Sequence, residues 1–394
     1  MAYIRKRGNK WSYQVEWLDP VTGTRRTKSK GGFTRKTDAR VEAEELEREL
    51  REGSFVEENK ITLNEFADEW LNFYAKNSKV SSHRGRTKEL KHFRTYFSKM
   101  KLTNITRKHY QAFLDDLHEK GYAHNTLDGI HTTGRMLFKK ALEFNLIKTN
   151  PSEFAKIPKK IQTVEEIEQN DEVIKFLEKN ELITFLKTAK GKGLDRDFIM
   201  FLTLAYSGLR VGEMLALKWT DVNFNNDTIR ITKTYYNPNN NTKDYQLLTP
   251  KTKGSIRTLK MDKQVMNEFK KHLTYQKEIK MALGDLYNDF GFVFAKEINN
   301  PGYPDFIKTV ENRMRRLLKL SGIEKNVTPH SFRHTHTSLL IEAGVGSKEI
   351  QQRLGHGDIN TTMNIYAHIT KNMEQKASEK FSELMKGALE EDIL

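Results

Sequence analysis

Between Asn150 and Asn170 the chain stops behaving as the inside of a folded domain does. Asn150-Pro151, then Lys156-Ile157-Pro158-Lys159-Lys160, then a polar run put prolines and charge where apolar periodicity had been, which is how an inter-domain linker reads. In a chain of 394 residues such a break excludes one continuous core and requires separately folded units on either side. The boundaries are placed at 1–58, 59–160 and 179–394 for three units, with 161–178 as linker.

The middle unit reads as helical. Thr62 and Glu65 have capping-box spacing ahead of Leu63, Phe66, Trp70 and Tyr74 at helical intervals. Three more amphipathic segments follow, Arg86 to Lys101 (Leu90, Phe93, Phe97), Arg107 to Lys120 (Tyr110, Phe113, Leu114, Leu117) and Thr126 to Asn145 (Ile130, Leu137, Leu142). Four such stripes can cover one another, so these aromatics are assigned to a core rather than to base stacking.

The first unit has a different period. Trp11, Tyr13, Val15 and Trp17 alternate with polar residues, as in a half-buried strand. Asp19 to Gly23 reads as a turn, Arg25 to Lys30 as a second strand, and Thr34 to Arg51 as a helix stopped by Gly53. Residues 1–40 hold eleven Lys or Arg against three acids, whereas residues 41–58 hold two against eight. Basic strands backed by an acidic helix predict a sheet facing DNA, with Arg25, Arg26, Lys28 and Lys30 as contacts. Lys159 and Lys160, beside the linker, are read as further DNA contacts.

The whole chain carries 67 Lys or Arg and 52 Asp or Glu, a formal charge of +15, which makes nucleic acid the first partner class and an anionic membrane the second. Having no cysteine, it can form no disulfide, thiolate zinc site or cysteine nucleophile. Its most apolar run, Phe198 to Tyr206, is under half of the roughly 20 residues that span a bilayer, and the opening MAYIRKRGNKW lacks a signal peptide's apolar stretch. The expectation is a soluble protein of the reducing cytoplasm.

The third unit opens with helices and holds one β section: Thr228 to Tyr236, an Asn-rich turn from Asn237 to Asn241, and Tyr245 to Lys260 with Lys251-Thr252-Lys253-Gly254 inside it. From Pro304 the pattern is helical again. The predicted fold class is therefore α+β and multidomain: a small sheet plus helix, four helices, and a mostly helical domain with a small sheet. Three motifs stand out in this unit. Gly208-Leu209-Arg210-Val211-Gly212-Glu213 closes an apolar helix. In Thr328-Pro329-His330-Ser331-Phe332-Arg333-His334, Thr as N-cap and Pro at the first helical position put His330 and Arg333 one turn apart. Arg353-Leu354-Gly355-His356 is followed ten positions after its histidine by Tyr366.

In that order these motifs resemble those of the tyrosine recombinases, the family of phage integrases, conjugative-transposon integrases and chromosome-dimer resolvases. The likeness extends to the first two units, which resemble the arm-type and core-binding DNA domains of integrases. The resemblance implies a site-specific recombinase that integrates or excises a mobile element through a 3′-phosphotyrosine. Arg210 and Arg333 would bind the scissile phosphate, Tyr366 would attack it, Lys253 would protonate the departing 5′-oxygen, and His330 and His356 would assist. Lys251 competes with Lys253 for the acid's role, being two residues away on the same predicted strand face. The resemblance also implies a homotetramer on core-type and arm-type attachment sites, an accessory DNA-bending or directionality factor, nucleoid association when bound, and no cofactor or membrane.

The chemistry agrees with that likeness. Attack on a phosphodiester builds negative charge on the non-bridging oxygens, and two planar guanidiniums can neutralise it without a metal. A tyrosine hydroxyl, with a free pKa of about 10, needs cationic neighbours and a proton acceptor to act at neutral pH. The phosphotyrosyl ester keeps the energy of the broken bond, so rejoining needs no ATP. Competing readings are a zinc site on His330, His334 and His336, a type IB topoisomerase, and a non-catalytic architectural DNA-binding protein. Beyond Tyr366, Ala377, Phe381, Leu384, Met385 and Ala388 form a helical stripe that would dock on its own domain or on a neighbouring subunit.

Overall fold

The computed structural model describes residues 2–18, 23–52, 55, 61–159, 176–250, 253–355 and 363. Lys160, Lys251, His356, Tyr366, most of the 161–178 linker, the turn at 19–22 and the tail helix lie outside the described residues. The chain divides into two units, Met1–Glu165 and Glu166–Leu394.

In the first unit, β1 (Tyr3–Arg7), β2 (Lys10–Leu18) and β3 (Arg25–Phe33) form an antiparallel sheet in that order, backed by α1 (Lys36–Arg51). The strand β1 escaped the sequence reading because Tyr3, Arg5 and Arg7 alternate with only Ile4 and Lys6, leaving one apolar residue to mark an inner face. Pairing fixes the two faces. Tyr13 and Val15 pack with Ala43 and Leu46 of α1, so their partners Lys30 and Lys28 stand on the helix-backed side too.

The same unit continues as α2 (Leu63–Lys76), α3 (Val80–Phe97), α4 (Arg107–Glu119) and α5 (His124–Glu143). Both arms of the Thr62 capping box form: the hydroxyl accepts from Glu65 N at 3.3 Å, and Glu65 Oε2 accepts from Thr62 N at 2.8 Å. Phe93, Phe97, Tyr110 and Phe113 meet edge-on and tilted in the core, as their spacing predicts. Two details differ. The helix α3 begins six residues before Arg86, because its first turns carry polar residues that leave no apolar stripe, and Leu142 of α5 is exposed while Phe138 and Ala141 supply the buried face.

The second unit holds α6 (Lys179–Lys192), α7 (Asp197–Ser207), α8 (Val211–Leu215), α9 (Lys263–Leu283), α10 (Ile307–Ser321), α11 (Ser331–Glu342) and α12 (Ser347–Leu354), and α6, α8, α9 and α11 pack around α7, which is buried on nearly every side. The predicted β section is broken. A first sheet takes β4 (Val222–Asn223), β5 (Thr228–Ile231) and β8 (Arg257–Lys260), while β6 (Thr234–Tyr236) pairs separately with β7 (Gln246–Leu248). Lys253 therefore sits in a 3₁₀ turn, Lys253–Ser255, rather than inside a strand, and the strand-face argument that linked it to Lys251 does not hold. Among the described residues no helix is long and apolar enough to cross a membrane.

Candidate active site

The site is built where two helices end. The helix α7 stops at Ser207 because Gly208 takes the left-handed conformation (φ 62°), which caps it through Gly208 N to Leu204 O at 3.0 Å. A side chain here would also lie 2.6 Å from Leu354 Cδ2 and 2.8 Å from His336 Cδ2, so glycine is required twice over. The helix α12 ends at Leu354 with Gly355 as its own left-handed cap (φ 67°). Terminal carbonyls have no intrahelical donor and carry the negative end of the helix dipole, which makes them natural partners for a buried cation.

Arg333 is that cation. It is 1 % exposed, and it donates through Nη1 to Gly208 O at 3.0 Å and through Nη2 to Leu354 O at 2.7 Å. Two residues beyond Gly208, Arg210 is the N-cap of α8 and stays partly open to solvent, with its Nη1 donating to Glu213 Oε1 at 2.9 Å. Arg210 and Arg333 are thus brought together, as the two motifs predict. Burial, then the charge of Arg210, push the Arg333 guanidinium down to about 9, with Glu213 opposing and Arg257 adding, so it is still charged at neutral pH.

His330 precedes α11, which begins at Ser331 rather than at Pro329, since residues 328–331 form a turn closed by Ser331 N to Thr328 O at 2.8 Å. Its ring meets that of His334 edge-on, with centroids 5.1 Å apart. Desolvation, followed by the charges of His334, Arg333 and Arg210, pushes the His330 imidazole down to about 4. It is neutral at pH 7 and a weak base while the cations around it stand without an anion. His336 points elsewhere. It is buried, with Nδ1 against Ala205 O at 2.8 Å and Nε2 accepting from Arg353 Nε at 3.0 Å, so it does not converge with His330 and His334 as the zinc reading requires. Among the described residues no group of three His, Asp or Glu is placed to hold a metal ion.

Glu213 is the counter-charge. Burial would raise its carboxyl, but the hydrogen bond and charge of Arg257 and the charge of Arg210 outweigh that and hold it below the usual carboxylate range. Arg257 donates through Nη2 to Glu213 Oε2 at 2.9 Å. Sequence reasoning passed over Arg257 and gave Arg353 no role beyond its place in the motif that ends at His356. The signal was present in β8, where Arg257 shares the inward face with Leu259, because an inward arginine in a strand demands a buried carboxylate. The Lys253–Ser255 turn belongs to the same neighbourhood: a side chain at Gly355 would be 3.1 Å from Gly254 O, and Ser255 Oγ donates to Gly355 O at 3.4 Å. His356 follows Gly355 directly in the chain. Arginines gathered at dipole ends with a neutral histidine beside them make a pocket suited to an anion with several oxygens.

The candidate DNA contacts of the first unit divide by face. Arg25 stands on the open side of the sheet, opposite Leu18. Arg26, Lys28 and Lys30 alternate to the helix-backed side, where Lys30 Nζ pairs with Glu42 of α1 and Lys28 Nζ lies 5.1 Å from the Phe55 ring. The open face adds Arg5, Arg7 and Lys10, which line a shallow cleft with Ser12, Ser29 and Gly31. Lys159 is exposed.

Residues 175–373 match the phage integrase family, residues 3–50 an arm DNA-binding domain, and residues 62–118 the N-terminal SAM-like domain of phage integrases. The prophage ps2 probable integrase of Lactococcus lactis is 32% identical over 314 residues, covering 79% of this chain and 80% of that protein. The ICEBs1 integrase of Bacillus subtilis is 27% identical over 383 residues, covering 95% and 97%. Among solved structures, the Tn1549 transposon integrase in complex with transposon right-end DNA superposes with a TM-score of 0.65 at 21% identity, over 82% of this chain and all of that one. A lambda integrase dimer bound to a core site gives 0.54 at 20% identity, over 92% and 93%. The fold is that of these integrases.

Proposed function

The chain belongs to the phage integrase family of tyrosine recombinases, and from that premise we propose how its own residues cleave and rejoin DNA. Arg210 and Arg333 grip the non-bridging oxygens of the scissile phosphate and neutralise the charge that grows there during attack. Tyr366 is the nucleophile. Its oxygen bonds to phosphorus as the bond to the 5′-oxygen breaks, leaving a 3′-phosphotyrosyl ester. A phosphate seated between the arginines offsets the positive charge that depresses His330 and raises its affinity for a proton, so His330, helped by His356, takes the tyrosine proton, and Lys253 gives a proton to the departing 5′-oxygen. A second DNA hydroxyl then reverses the sequence. Guanidiniums supply the charge neutralisation and the phosphotyrosyl ester keeps the bond energy, so these steps require neither metal nor ATP.

The proposed division of labour follows the chain. Residues 1–58 bind arm-type sites, residues 59–160 bind core-type sites with Lys159 and Lys160 among the contacts, and residues 179–394 carry the chemistry. We place four copies on two duplexes, with an accessory DNA-bending or directionality factor, in association with the nucleoid when bound. Two integrases of similar fold are bound to DNA in their solved structures, which supports DNA as the partner.

One observation carries the reading: the buried Arg333 is hooked to Gly208 O, two residues from the half-open Arg210. Incubation with a nicked attachment site, from which the released fragment diffuses away, should trap a covalent protein-DNA adduct in the presence of EDTA. The adduct should vanish in Tyr366→Phe. An adduct that persists in that variant would show that another residue is the nucleophile.

A further inference from the structure

Arg257 does not face the open side of the site, yet three separate segments end on its guanidinium. It is the first residue of β8, opposite Ile231 of β5, and its side chain is 6% exposed. Nε donates to Arg353 O at 2.8 Å, in the last turn of α12. Nη1 donates to Ser255 O at 3.0 Å, in the turn that contains Lys253. Nη2 donates to Glu213 Oε2 at 2.9 Å, in α8.

Glu213 is shared. Its Oε1 accepts from Arg210 Nη1 at 2.9 Å and its Oε2 also accepts from Arg210 N at 3.1 Å. Arg257 reaches both carboxylate oxygens, Nη2 to Oε2 at 2.9 Å and Nη1 to Oε1 at 3.5 Å, and the carboxylate so held keeps Arg210 by a single side-chain nitrogen, with the rest of that guanidinium open among the described residues. Were Arg257 absent, Glu213 would have Arg210 as its remaining cation among these contacts and would draw it inward.

We propose that Arg257 is a positioning residue for strand cleavage: by holding Glu213 it keeps Arg210 turned toward the phosphate. The inference rests on the reading of Arg210 given above. Its requirement is a fork, because no point charge can reach Glu213, Ser255 O and Arg353 O together. Displacing a phosphate ligand by about 1 Å costs about a hundredfold in rate.

The test uses the full-length protein, Arg257→Lys, and two nicked sites. One has a natural scissile phosphodiester; the other has a methylphosphonate there, in which a methyl group replaces one non-bridging oxygen and removes its negative charge. Adduct formation is timed on both with one preparation, so any loss of folded protein cancels in the ratio of the two rates. Arg257→Lys should be slower than the unaltered protein by about a hundredfold on the phosphodiester but by less than about fivefold on the methylphosphonate, which needs less charge neutralised. An equal deficit on both sites would overturn the proposal and make Arg257 a purely structural residue, and so would a natural-site rate equal to that of the unaltered protein. Absence of any adduct from the unaltered protein would overturn the functional reading itself, and this inference with it.

Discussion

Lys30 and Arg257 are both cations paired with a glutamate, and the two pairs live in opposite dielectric regimes. The side chains of Lys30 and Glu42 are 56% and 36% exposed; those of Arg257 and Glu213 are 6% and 3% exposed. Water screens the first pair, which contributes about 0 to 1 kcal/mol and leaves Lys30 able to exchange its glutamate for a DNA phosphate. The second pair cannot be parted without stranding a charge in the protein interior. Under the proposed function, positive charge on the N-terminal sheet would serve affinity for a phosphate backbone, whereas positive charge buried behind α7 and α12 would fix geometry around one phosphate.

The sharpest way to break this contrast is Glu213→Ala. It leaves Arg257 buried without its carboxylate, and the expected loss is about 3 to 5 kcal/mol of stability, read from urea denaturation. A loss under about 1 kcal/mol, the range of an exposed pair, would mean that the interior pair is screened after all.

A smaller effect is expected from pH. Burial, the charge of Arg353 and that of Arg333 push the His336 imidazole down to about 4, with its hydrogen bond to Ala205 O opposing. Between pH 4 and about 6.5 the unfolded chain binds a proton at this position that the folded chain refuses, so stability rises with pH across that window and is flat above it. At pH 5 the loss relative to pH 7.5 should be on the order of 2 kcal/mol from His336. The lowered pKa of the more exposed His330 acts in the same direction. Thermal melting of the unaltered protein and of His336→Gln at the two pH values checks this. The contribution is absent if both proteins lose the same amount.

The smallest structural effect should come from the sheet. Lys30→Ala is expected to change stability by less than about 1 kcal/mol, while lowering arm-site affinity at low salt and reducing the slope of log affinity against log salt by about 1. An unchanged slope would place Lys30 away from phosphate, and the open-face residues Arg5, Arg7 and Arg25 would be the next to replace.

What the sequence made legible divides along the same line. The Thr62 box and the aromatic stripes of α2 to α5 depend on short-range spacing, and both stand in the structure; the approach of Arg333 to the Gly208-Leu209-Arg210 segment, distant in sequence, was expected only from the family resemblance of the two motifs. The break between β7 and β8 was missed although Pro250 and Gly254 mark it, because neither residue says that the two halves of the run from Tyr245 to Lys260 belong to different sheets. Nor was the face taken by Arg26, Lys28 and Lys30, which depends on which side of the sheet α1 covers. Arg257 was the costliest omission. Its partners Glu213 and Arg353 O lie 44 and 96 residues away, and only the tertiary fold brings them together.

The central claim is that buried and half-buried arginines act on the transition state while surface cations act on affinity, and Arg210→Ala tests it most directly. Arg210 is partly exposed and Glu213 keeps Arg257, so the fold should survive the substitution. Single-turnover cleavage of a nicked core site and equilibrium binding of the same DNA are measured side by side. Cleavage should fall by about a hundredfold or more while affinity changes by less than about threefold, since many other phosphate contacts remain. A fall in cleavage that merely matches the fall in affinity would contradict the account.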